Sequence, residues 1–193
     1  MNVDRRYPER LRPRIPFESV SIRVHLWFLT STLRSVRFVS TLFQPSDPQI
    51  RPVRAADRLE WLRLRMALWP EALPRELEEE LDATLADSAR QAVFGWARGC
   101  GLGGMLEATL RPFAEGCSSS PVAYVEGWYV DPDLRRRRVG SRLMAAFEEW
   151  AQAAGCLEAA SDAAIENATS YWAHTAAGFE EAARVIHFKK RLE

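Results

Sequence analysis

The spacing of apolar residues predicts four helices between residue 50 and the C-terminus. In the third segment Val139, Leu143, Phe147, Trp150 and Ala154 recur three or four positions apart, which places them on one helix face that can be buried. Pro74 precedes the second helix and Gly155 follows the third, as proline and glycine commonly do at helix starts and ends. The predicted helices span residues 57–69, 75–86, 139–154 and 167–178.

Shorter apolar runs between turn residues predict strands around these helices. Pro52 places the first strand at a sheet edge, and Gly127 indicates a bulge in the strand that contains it. The run before Asp162 is short and apolar, as in a buried parallel strand, and the glycine-rich residues 99–104 predict a turn. The predicted strands span residues 50–54, 91–98, 105–110, 122–130, 156–161, 179–185 and 186–192.

The order of these elements, β-α-α-β-β-β-α-β-α-β-β, predicts an α/β (α+β) fold in which helices flank a mixed central sheet. Residues 50–193 form one domain in this interpretation, because the chain has 193 residues with 47% apolar content. Residues 1–49 hold eight arginines and five prolines, and we expect them to be a poorly ordered leader outside the domain. A transit peptide and a segment read from an upstream start codon are both open interpretations of this leader.

The distribution of charge disfavours nucleic acid as a partner. Residues 50–193 hold 18 basic and 22 acidic groups, so the domain suits a cationic substrate. Arg34 and Arg37 interrupt the apolar centre of the leader, so we expect no secretory signal, and no run of 18 apolar residues predicts a membrane span. Three cysteines without metal-ligand spacing and three scattered histidines indicate a reducing, cytoplasmic environment and no metal site.

A run of four arginines, residues 135–138, lies between a predicted strand and a predicted helix. Backbone amides of such a turn converge with the helix N-terminus on one point, and that arrangement binds anions. The guanidinium groups add mobile positive charge around this point. A solvated basic loop is the alternative, but the flanking pattern favours a phosphate or diphosphate ligand.

This segment resembles the acyl-CoA-binding loop of the GNAT acetyltransferase superfamily, which reads Gln/Arg-x-x-Gly-x-Gly/Ala. Arg135 fills the first position and Gly140 the last, while Arg138 replaces the middle glycine. We expect a negative φ at Arg138 because the helix begins there; a positive φ would cost about 1–2 kcal/mol. The resemblance implies acetyl-CoA as co-substrate, and the residues implied to bind it are Val130, Arg135, Arg136, Arg137, Arg138, Val139, Gly140, Ser141 and Asn167.

Further segments resemble aminoglycoside 6′-N-acetyltransferases, which transfer acetyl from acetyl-CoA to a primary amine of an antibiotic. This resemblance covers about residues 50–193, whereas residues 1–49 have no counterpart in it. The segments are LWP at 68–70, TLRPFAEGC at 109–117, VEGWYVDP at 125–132, ASDA at 160–163, AGFEE at 177–181 and RVIHFKK at 184–190.

Two carboxylates are candidates for binding a substrate ammonium group and accepting its proton. Strict alternation places these residues on one face of their strand: Val122, Tyr124, Glu126, Trp128 and Val130. Glu126 is therefore an acid among apolar neighbours, and Asp162 follows the buried strand, where α/β sheets open. An edge-exposed Glu126 and a turn or helix-capping Asp162 are the alternatives. The sequence does not decide which of the two is the general base.

The same resemblance implies roles for further residues. It implies that His174 protonates the leaving thiolate and that the Val130 amide donates to the thioester carbonyl. Trp69 and Phe113 are implied to lie beside the aminoglycoside, although Trp69 also fits the end of a core helix. Asn167 either binds the pantetheine arm or caps a helix, and a packed or solvent-facing His174 is equally open. Glu107 is a further candidate acid.

We therefore expect an enzyme that acetylates the 6′-amine of an aminoglycoside and thereby gives antibiotic resistance. One alternative is a GNAT N-acetyltransferase that acts on a polyamine or on another small or peptide amine. Another is a degenerate GNAT domain that binds coenzyme A without catalysis, which Arg138 motivates. The two closing strands could also build a homodimer.

Overall fold

The computed structural model describes residues 43–87, 91–99 and 101–192. Residues 1–42 of the expected leader lie outside the described residues. The strands are β1 (Ile50–Pro52), β2 (Gln91–Arg98), β3 (Gly101–Arg111), β4 (Val122–Val130) and β5 (Ala159–Ser161). The helices are α1 (Arg58–Leu68), α2 (Pro74–Ala86), α3 (Val139–Ala153) and α4 (Ala168–Ala176), with single 3-10 turns at Ala55–Asp57 and Pro132–Leu134.

The strands form one mixed sheet in the order β1-β2-β3-β4-β5, which confirms the predicted fold class. Neighbouring strands are antiparallel except β4 and β5, which are parallel. The turn predicted over residues 99–104 is wrong for most of its length, because β3 begins at Gly101. The preference of glycine for turns is weak, so pairing with neighbouring strands determines the local structure here. Gly104 pairs with Trp96 of β2 on one side and with Val130 of β4 on the other.

Helices cover both faces of the sheet, and each side has its own core. On one face α3 buries Leu143, Phe147 and Trp150 against the sheet, as its apolar spacing predicted. On the other face α1 and α2 bury Trp61 and Leu81. At about 25 cal/mol per Å² of buried apolar surface, such large side chains supply most of the stability that fixes the sheet.

Glu126 is the extra residue of a β-bulge in β4. The register passes from Glu107 opposite Gly127 to Ala108 opposite Val125, so the bulge predicted at Gly127 is confirmed. The common face predicted for Val122, Tyr124, Glu126, Trp128 and Val130 is wrong. One inserted residue reverses the alternation, so Trp128 and Val130 pack on the α3 side while Val122 and Tyr124 belong to a separate cluster.

The two strands predicted after Gly178 are wrong for the single described chain. Residues 179–192 form no helix or strand, and Val185, Ile186 and Phe188 are exposed. A strand exists through the ladder that it shares with a neighbour, and this segment has none within the described chain. Residues 179–192 therefore have the apolar alternation of strands but no strand of the described chain to pair with.

Residues 43–49, which the sequence assigned to the leader, contact the sheet and α3. The Phe43 ring meets Phe94 of β2 edge-on at 6.0 Å between centroids. The Asp47 carboxylate pairs with Arg142 of α3, and the Ser46 amide donates to Glu149 over 2.9 Å. Within the described residues, no helix has the length and apolar character needed to span a bilayer.

Candidate active site

A cleft opens where β4 and β5 separate. The two strands pair only from Ala123 opposite Ala159 to Val125 opposite Ser161. Beyond Val125 the bulge at Glu126 turns β4 away, so the rest of β4 has an open edge on this side. Because unpaired strand edges offer regularly spaced N–H and C=O groups, this edge can bind an extended ligand.

The backbone of Val130 points to this open edge. The Asp131 amide donates to the Gly103 carbonyl over 2.9 Å, which makes Val130 and Gly104 a non-hydrogen-bonded pair. In such a pair both backbone groups of Val130 point away from β3, as its expected role as an amide donor requires. The Trp128 amide shares this direction, since it lies two residues earlier on the same strand. The sequence analysis did not identify the Trp128 amide as a donor at this edge. The alternation of backbone direction along β4 after the bulge would have indicated it, because Trp128 lies two residues before Val130.

Arg63 holds the end of β4 in place. Its guanidinium donates to both oxygens of the buried Asp131 carboxylate, over 2.9 and 3.0 Å, and to the Leu102 carbonyl over 2.8 Å. This ion pair connects α1 to Asp131, the residue that follows Val130. It therefore fixes the open edge against the first helix, and no sequence motif indicates this pairing, because the two residues lie 68 positions apart.

The arginine run forms the turn between β4 and α3. Arg135 donates from Nε to the Val130 carbonyl over 3.0 Å, and its guanidinium lies 5.6 Å from the centre of the Tyr129 ring. All four side chains of the run are exposed. The negative φ expected at Arg138 is wrong, because Arg136 and Arg138 have φ of 60° and 63°. Arg138 is the residue before α3, and a left-handed conformation there brings the chain into the helix.

The first turn of α3 presents unpaired amides beside the open edge. The Arg142 amide makes the first intrahelical bond, to Arg138, so the amides of Val139, Gly140 and Ser141 precede it. A Cβ on Gly140 would lie 3.2 Å from Cζ2 of Trp128, so glycine allows the helix end to approach β4 closely. These amides, the helix dipole and the exposed arginines fit a diphosphate.

Glu126 is held by Arg111 on the neighbouring strand. Arg111 Nη2 lies 2.8 Å from Oε1 and 2.7 Å from Oε2, and Arg111 Nε lies 3.1 Å from Oε1. The Thr109 hydroxyl also donates to Oε1. This carboxylate is partly exposed, but its orientation is fixed by four hydrogen bonds, and a charged pair of this geometry is strong for a surface site.

Asp162 is linked to Glu126 through Tyr124 and Arg111. The Tyr124 hydroxyl donates to Asp162 Oδ1 over 2.5 Å, and the Arg111 guanidinium carbon lies 3.3 Å from the centre of the Tyr124 ring. Burial, followed by the contact with Asp162, raises the pKa of Tyr124, so its hydroxyl stays a donor. The structure thus connects the two sequence-predicted carboxylates through Tyr124 and Arg111. Arg111 and Tyr124 were missed because nothing in their local sequence marks them.

Two residues behind the bulge shape the floor of this region. A Cβ on Gly127 would lie 2.8 Å from Cη2 of Trp69, so the Trp69 ring packs directly on the bulge. Glu107 is buried, with 6% exposure, and accepts a hydrogen bond from Trp61 Nε1 over 2.6 Å. Burial raises the pKa of Glu107, which the nearby Arg65 only partly offsets. Glu107 is thus a buried acid and not an exposed ligand for substrate.

Phe113 is exposed on the loop that follows β3. Glu158 holds this loop, because its carboxylate accepts from the Ser118 amide over 2.8 Å and from the Ser119 amide over 2.6 Å. A hydrogen bond from the Ser119 hydroxyl, followed by those from the two amides, lowers the pKa of Glu158 and keeps it charged.

His174 and Asn167 both lie on or next to α4. Asn167 Oδ1 accepts from the Ser170 amide over 3.0 Å, so it caps this helix, and its side-chain amide group remains a potential donor. His174 Nε2 lies 2.9 Å from the Ser161 hydroxyl, at the point where β4 and β5 part. Among the described residues, no cluster of three or more His, Cys, Asp or Glu could hold a metal ion.

Comparisons with known proteins agree with this geometry. A model of the acetyltransferase (GNAT) family matches residues 58–179. Aminoglycoside N(6′)-acetyltransferase type 1 of Klebsiella aerogenes is 43% identical over 151 residues, covering 76% of this chain and 99% of the relative. The protein of the same name from Stenotrophomonas maltophilia is 41% identical over 149 residues, covering 77% and 96%.

Solved structures give the same result. AAC(6′)-Iy in complex with the bisubstrate analogue CoA-S-monomethyl-acetylneamine has a TM-score of 0.69 at 35% identity, covering 74% of this chain and 97% of that one. The aminoglycoside 6′-N-acetyltransferase AAC(6′)-IG from Acinetobacter haemolyticus has a TM-score of 0.71 at 34% identity, covering 75% and 99%. The chain belongs to the acetyltransferase (GNAT) family and, within it, to the aminoglycoside N(6′)-acetyltransferases.

Proposed function

We propose that this protein transfers acetyl from acetyl-CoA to the 6′-amine of an aminoglycoside and so gives resistance to the antibiotic. The observation that carries the proposal is the open edge of β4, which runs from the bulge at Glu126 to the N-terminus of α3. One end of this edge binds anions and the other carries two carboxylates. The names of the relatives, and the bisubstrate analogue bound to one of them, support this pairing of substrates.

In this proposal the coenzyme lies along the open edge. The amides of Val139, Gly140 and Ser141 bind its diphosphate, with Arg135–Arg138 around it. The Val130 and Trp128 amides face the pantetheine arm and the thioester carbonyl, where a backbone donor stabilises the negative charge that develops on oxygen. The amine itself attacks the carbonyl carbon of the thioester.

The acceptor amine needs the two carboxylates for different reasons. At pH 7 an ammonium group with a pKa near 10.4 must lose a proton at a cost of about 4.6 kcal/mol before it can attack. Glu126 already accepts four hydrogen bonds from Arg111 and Thr109, whereas Asp162 accepts one, from Tyr124, in the part of the chain that the structure describes. We therefore assign ammonium binding to both and proton removal, through water, to Asp162.

Aromatic side chains complete the acceptor side. Trp69 packs at the bulge and is only half-buried, so part of its ring is available to cover sugar C–H surface, and Phe113 is exposed on the loop after β3. Flat rings attract cations and bury apolar sugar faces. An acidic site with aromatic walls suits a polycationic sugar better than it suits a neutral amine.

Thiol release from acetyl-CoA with a panel of acceptors tests this function. We expect turnover with kanamycin- and tobramycin-like acceptors, and mass spectrometry with NMR should place one acetyl group on the 6′-nitrogen. Asp162→Asn should lower kcat/KM by at least about 100-fold. Turnover on polyamines or peptide amines but not on aminoglycosides would contradict the proposal, as would coenzyme binding without any turnover.

We propose further that two copies of the chain associate through residues 179–192. This segment carries exposed apolar side chains at Val185, Ile186 and Phe188, the last 91% exposed, on backbone that pairs with no strand of the described chain. A second copy of the chain can supply both a strand that pairs with this backbone and an apolar surface that covers these side chains. Light scattering should give twice the mass of 22.0 kDa, and Phe188→Asp should give the monomer.

We place the enzyme in the cytoplasm. Its proposed co-substrate is a cytoplasmic thioester, and Cys117 and Cys156 are free thiols in the structure. Free thiols persist in reducing compartments. Detection of the acetylated antibiotic inside expressing cells, and not in the periplasmic fraction, tests this placement.

A further inference from the structure

Ser161 lies at the point where the cleft begins. It is the last residue of β5 and pairs with Val125, directly before the bulge that turns β4 away. Its hydroxyl donates to the Val125 carbonyl over 3.2 Å and lies 2.9 Å from His174 Nε2. A hydroxyl in this position stands between the histidine and the open edge of β4.

The His174 ring is fixed on all sides by its own chain. Nδ1 lies 2.8 Å from the Ser170 carbonyl, and since a carbonyl only accepts, Nδ1 carries a hydrogen. Trp128 and Phe179 meet the ring edge-on, at 5.7 and 5.3 Å between centroids. Nε2 is therefore the only ring nitrogen left for chemistry, and it faces Ser161.

The imidazolium form of His174 satisfies every polar group in this chain of contacts. Nδ1–H then donates to Ser170, Nε2–H donates to the Ser161 hydroxyl, and that hydroxyl donates to Val125. In the neutral form with hydrogen on Nδ1, the Ser161 hydroxyl must turn to Nε2 and leave Val125. The two states thus differ by the position of one proton and one hydroxyl hydrogen, which is the arrangement of a proton relay.

We propose that Ser161 is a catalytic residue that delivers the proton to the departing thiolate and that His174 resupplies it. The inference rests on the proposed acetyl transfer. As the amine nitrogen bonds to the thioester carbon and the carbon–sulfur bond breaks, sulfur takes the Ser161 hydrogen. The Ser161 oxygen takes the Nε2 hydrogen, which leaves His174 neutral. The proton lost by the amine passes through water to solvent, and solvent returns one to His174.

A purely structural role for Ser161, as a tether between β5 and α4, makes a different prediction. Loss of a tether would loosen α4 and reduce stability and coenzyme affinity together. Loss of a proton donor would reduce kcat while the unfolding midpoint, the KM for both substrates and the coenzyme Kd stay near the wild-type values. Ser170 provides a matched control, because its hydroxyl lies 3.2 Å from Nδ1 of the same ring but on the side away from Ser161.

The experiment measures kcat, both KM values and coenzyme Kd for wild type, Ser161→Ala, Ser161→Thr, His174→Gln, Ser170→Ala and the Ser161→Ala/His174→Gln double variant. We expect kcat to fall about 100-fold in Ser161→Ala and in His174→Gln, the range of general acid catalysis. The double variant should be no slower than the slower single variant, Ser161→Thr should recover most of the rate, and Ser170→Ala should stay within about threefold of wild type.

Three outcomes would overturn the relay. In the first, Ser161→Ala keeps wild-type kcat while His174→Gln is slow, so His174 acts directly. In the second, the two single effects multiply in the double variant. In the third, Ser161→Thr is as slow as Ser161→Ala although it folds and binds coenzyme. Absence of turnover in the wild type would instead refute the proposed function, so the two failures are distinguishable.

Discussion

Replacing Arg138 with glycine should stabilise the protein. Arg138 has φ of 63° and ψ of 11°, a left-handed conformation that costs a residue with a Cβ about 1–2 kcal/mol. Glycine removes that strain, although its greater freedom in the unfolded chain returns about 0.5–1 kcal/mol. The arginine charge also lies at the positive end of α3, and its removal is worth about 0.3–1 kcal/mol. The expected net gain is about 1 kcal/mol.

Neighbouring arginines provide the controls for this substitution. Arg138→Ala removes the charge but keeps the Cβ, so it should recover only the electrostatic part. Arg137 is not among the described residues with positive φ, so Arg137→Gly removes a charge without relieving strain and should lower stability or leave it unchanged. Comparison of the three variants separates backbone strain from charge.

Urea unfolding and thermal melting measure the effect. A gain of 1 kcal/mol corresponds to a rise in Tm of about 2–4 °C for a domain of this size. Coenzyme affinity should change little in Arg138→Gly, because the backbone amides that bind the diphosphate remain. An unfolding free energy that falls in Arg138→Gly, or that rises equally in Arg137→Gly, would refute the reasoning from φ.

Three further predictions concern other parts of the molecule. Arg111→Met should raise the KM for the aminoglycoside and lower the unfolding free energy by about 1–2 kcal/mol, because it removes the charged partner and three of the four hydrogen bonds of the Glu126 carboxylate. Arg111→Lys should change both quantities less, because it keeps the positive charge. Burial raises the pKa of Glu107 in the folded state above about 4.5, the ordinary pKa of glutamate. The unfolding free energy should therefore fall as pH rises from about 4.5 through the higher folded-state pKa. Urea denaturation across this pH range should show a smaller change in unfolding free energy for Glu107→Gln than for the wild type. A chain that starts at residue 48 should unfold about 1–3 kcal/mol more easily than one that starts at residue 43, because it lacks Phe43 and Asp47; equal midpoints in urea would contradict this.

Much of the fold follows from periodicity. The apolar spacing of α3 predicted which residues it buries. The short apolar run before Asp162 predicted the parallel strand β5, but β5 begins only at Ala159 and is half-buried, so the predicted start at residue 156 and the predicted full burial are wrong. These predictions succeed because a helix or strand that packs on a core must carry the pattern of its buried face. The prediction of two closing strands was wrong for a different reason. Residues 179–192 carry the apolar alternation of strands, but they form no hydrogen-bonded ladder with a strand of the described chain.

The errors at the site have local causes that the sequence conceals. Alternation along β4 failed at Glu126 because one bulged residue reverses the direction of every later side chain. The positive φ at Arg138 was missed because the preference for glycine is statistical, and an arginine can take the conformation at an energetic cost. The glycine that the GNAT loop carries at this position indicated the positive φ better than the arginine that replaces it in this chain.

The partners of the candidate residues depend on tertiary structure. Arg111 and Glu126 lie fifteen positions apart in sequence and Tyr124 and Asp162 thirty-eight, so no motif joins either pair. Sequence resemblance selected the carboxylates, and the fold supplied what orients them. The same holds for Ser161, which the sequence shows only as the residue before Asp162, but which the structure places beside His174.

The structure of the protein bound to acetyl-CoA and an aminoglycoside would show whether both substrates meet at the open edge of β4. We expect the diphosphate within hydrogen-bond distance of the amides of residues 139–141 and the thioester beside the Trp128–Val130 edge. We expect the 6′-nitrogen between that thioester and the Asp162 carboxylate. A coenzyme bound away from the first turn of α3, or an acceptor amine that contacts neither Glu126 nor Asp162, would show that the proposed site is wrong.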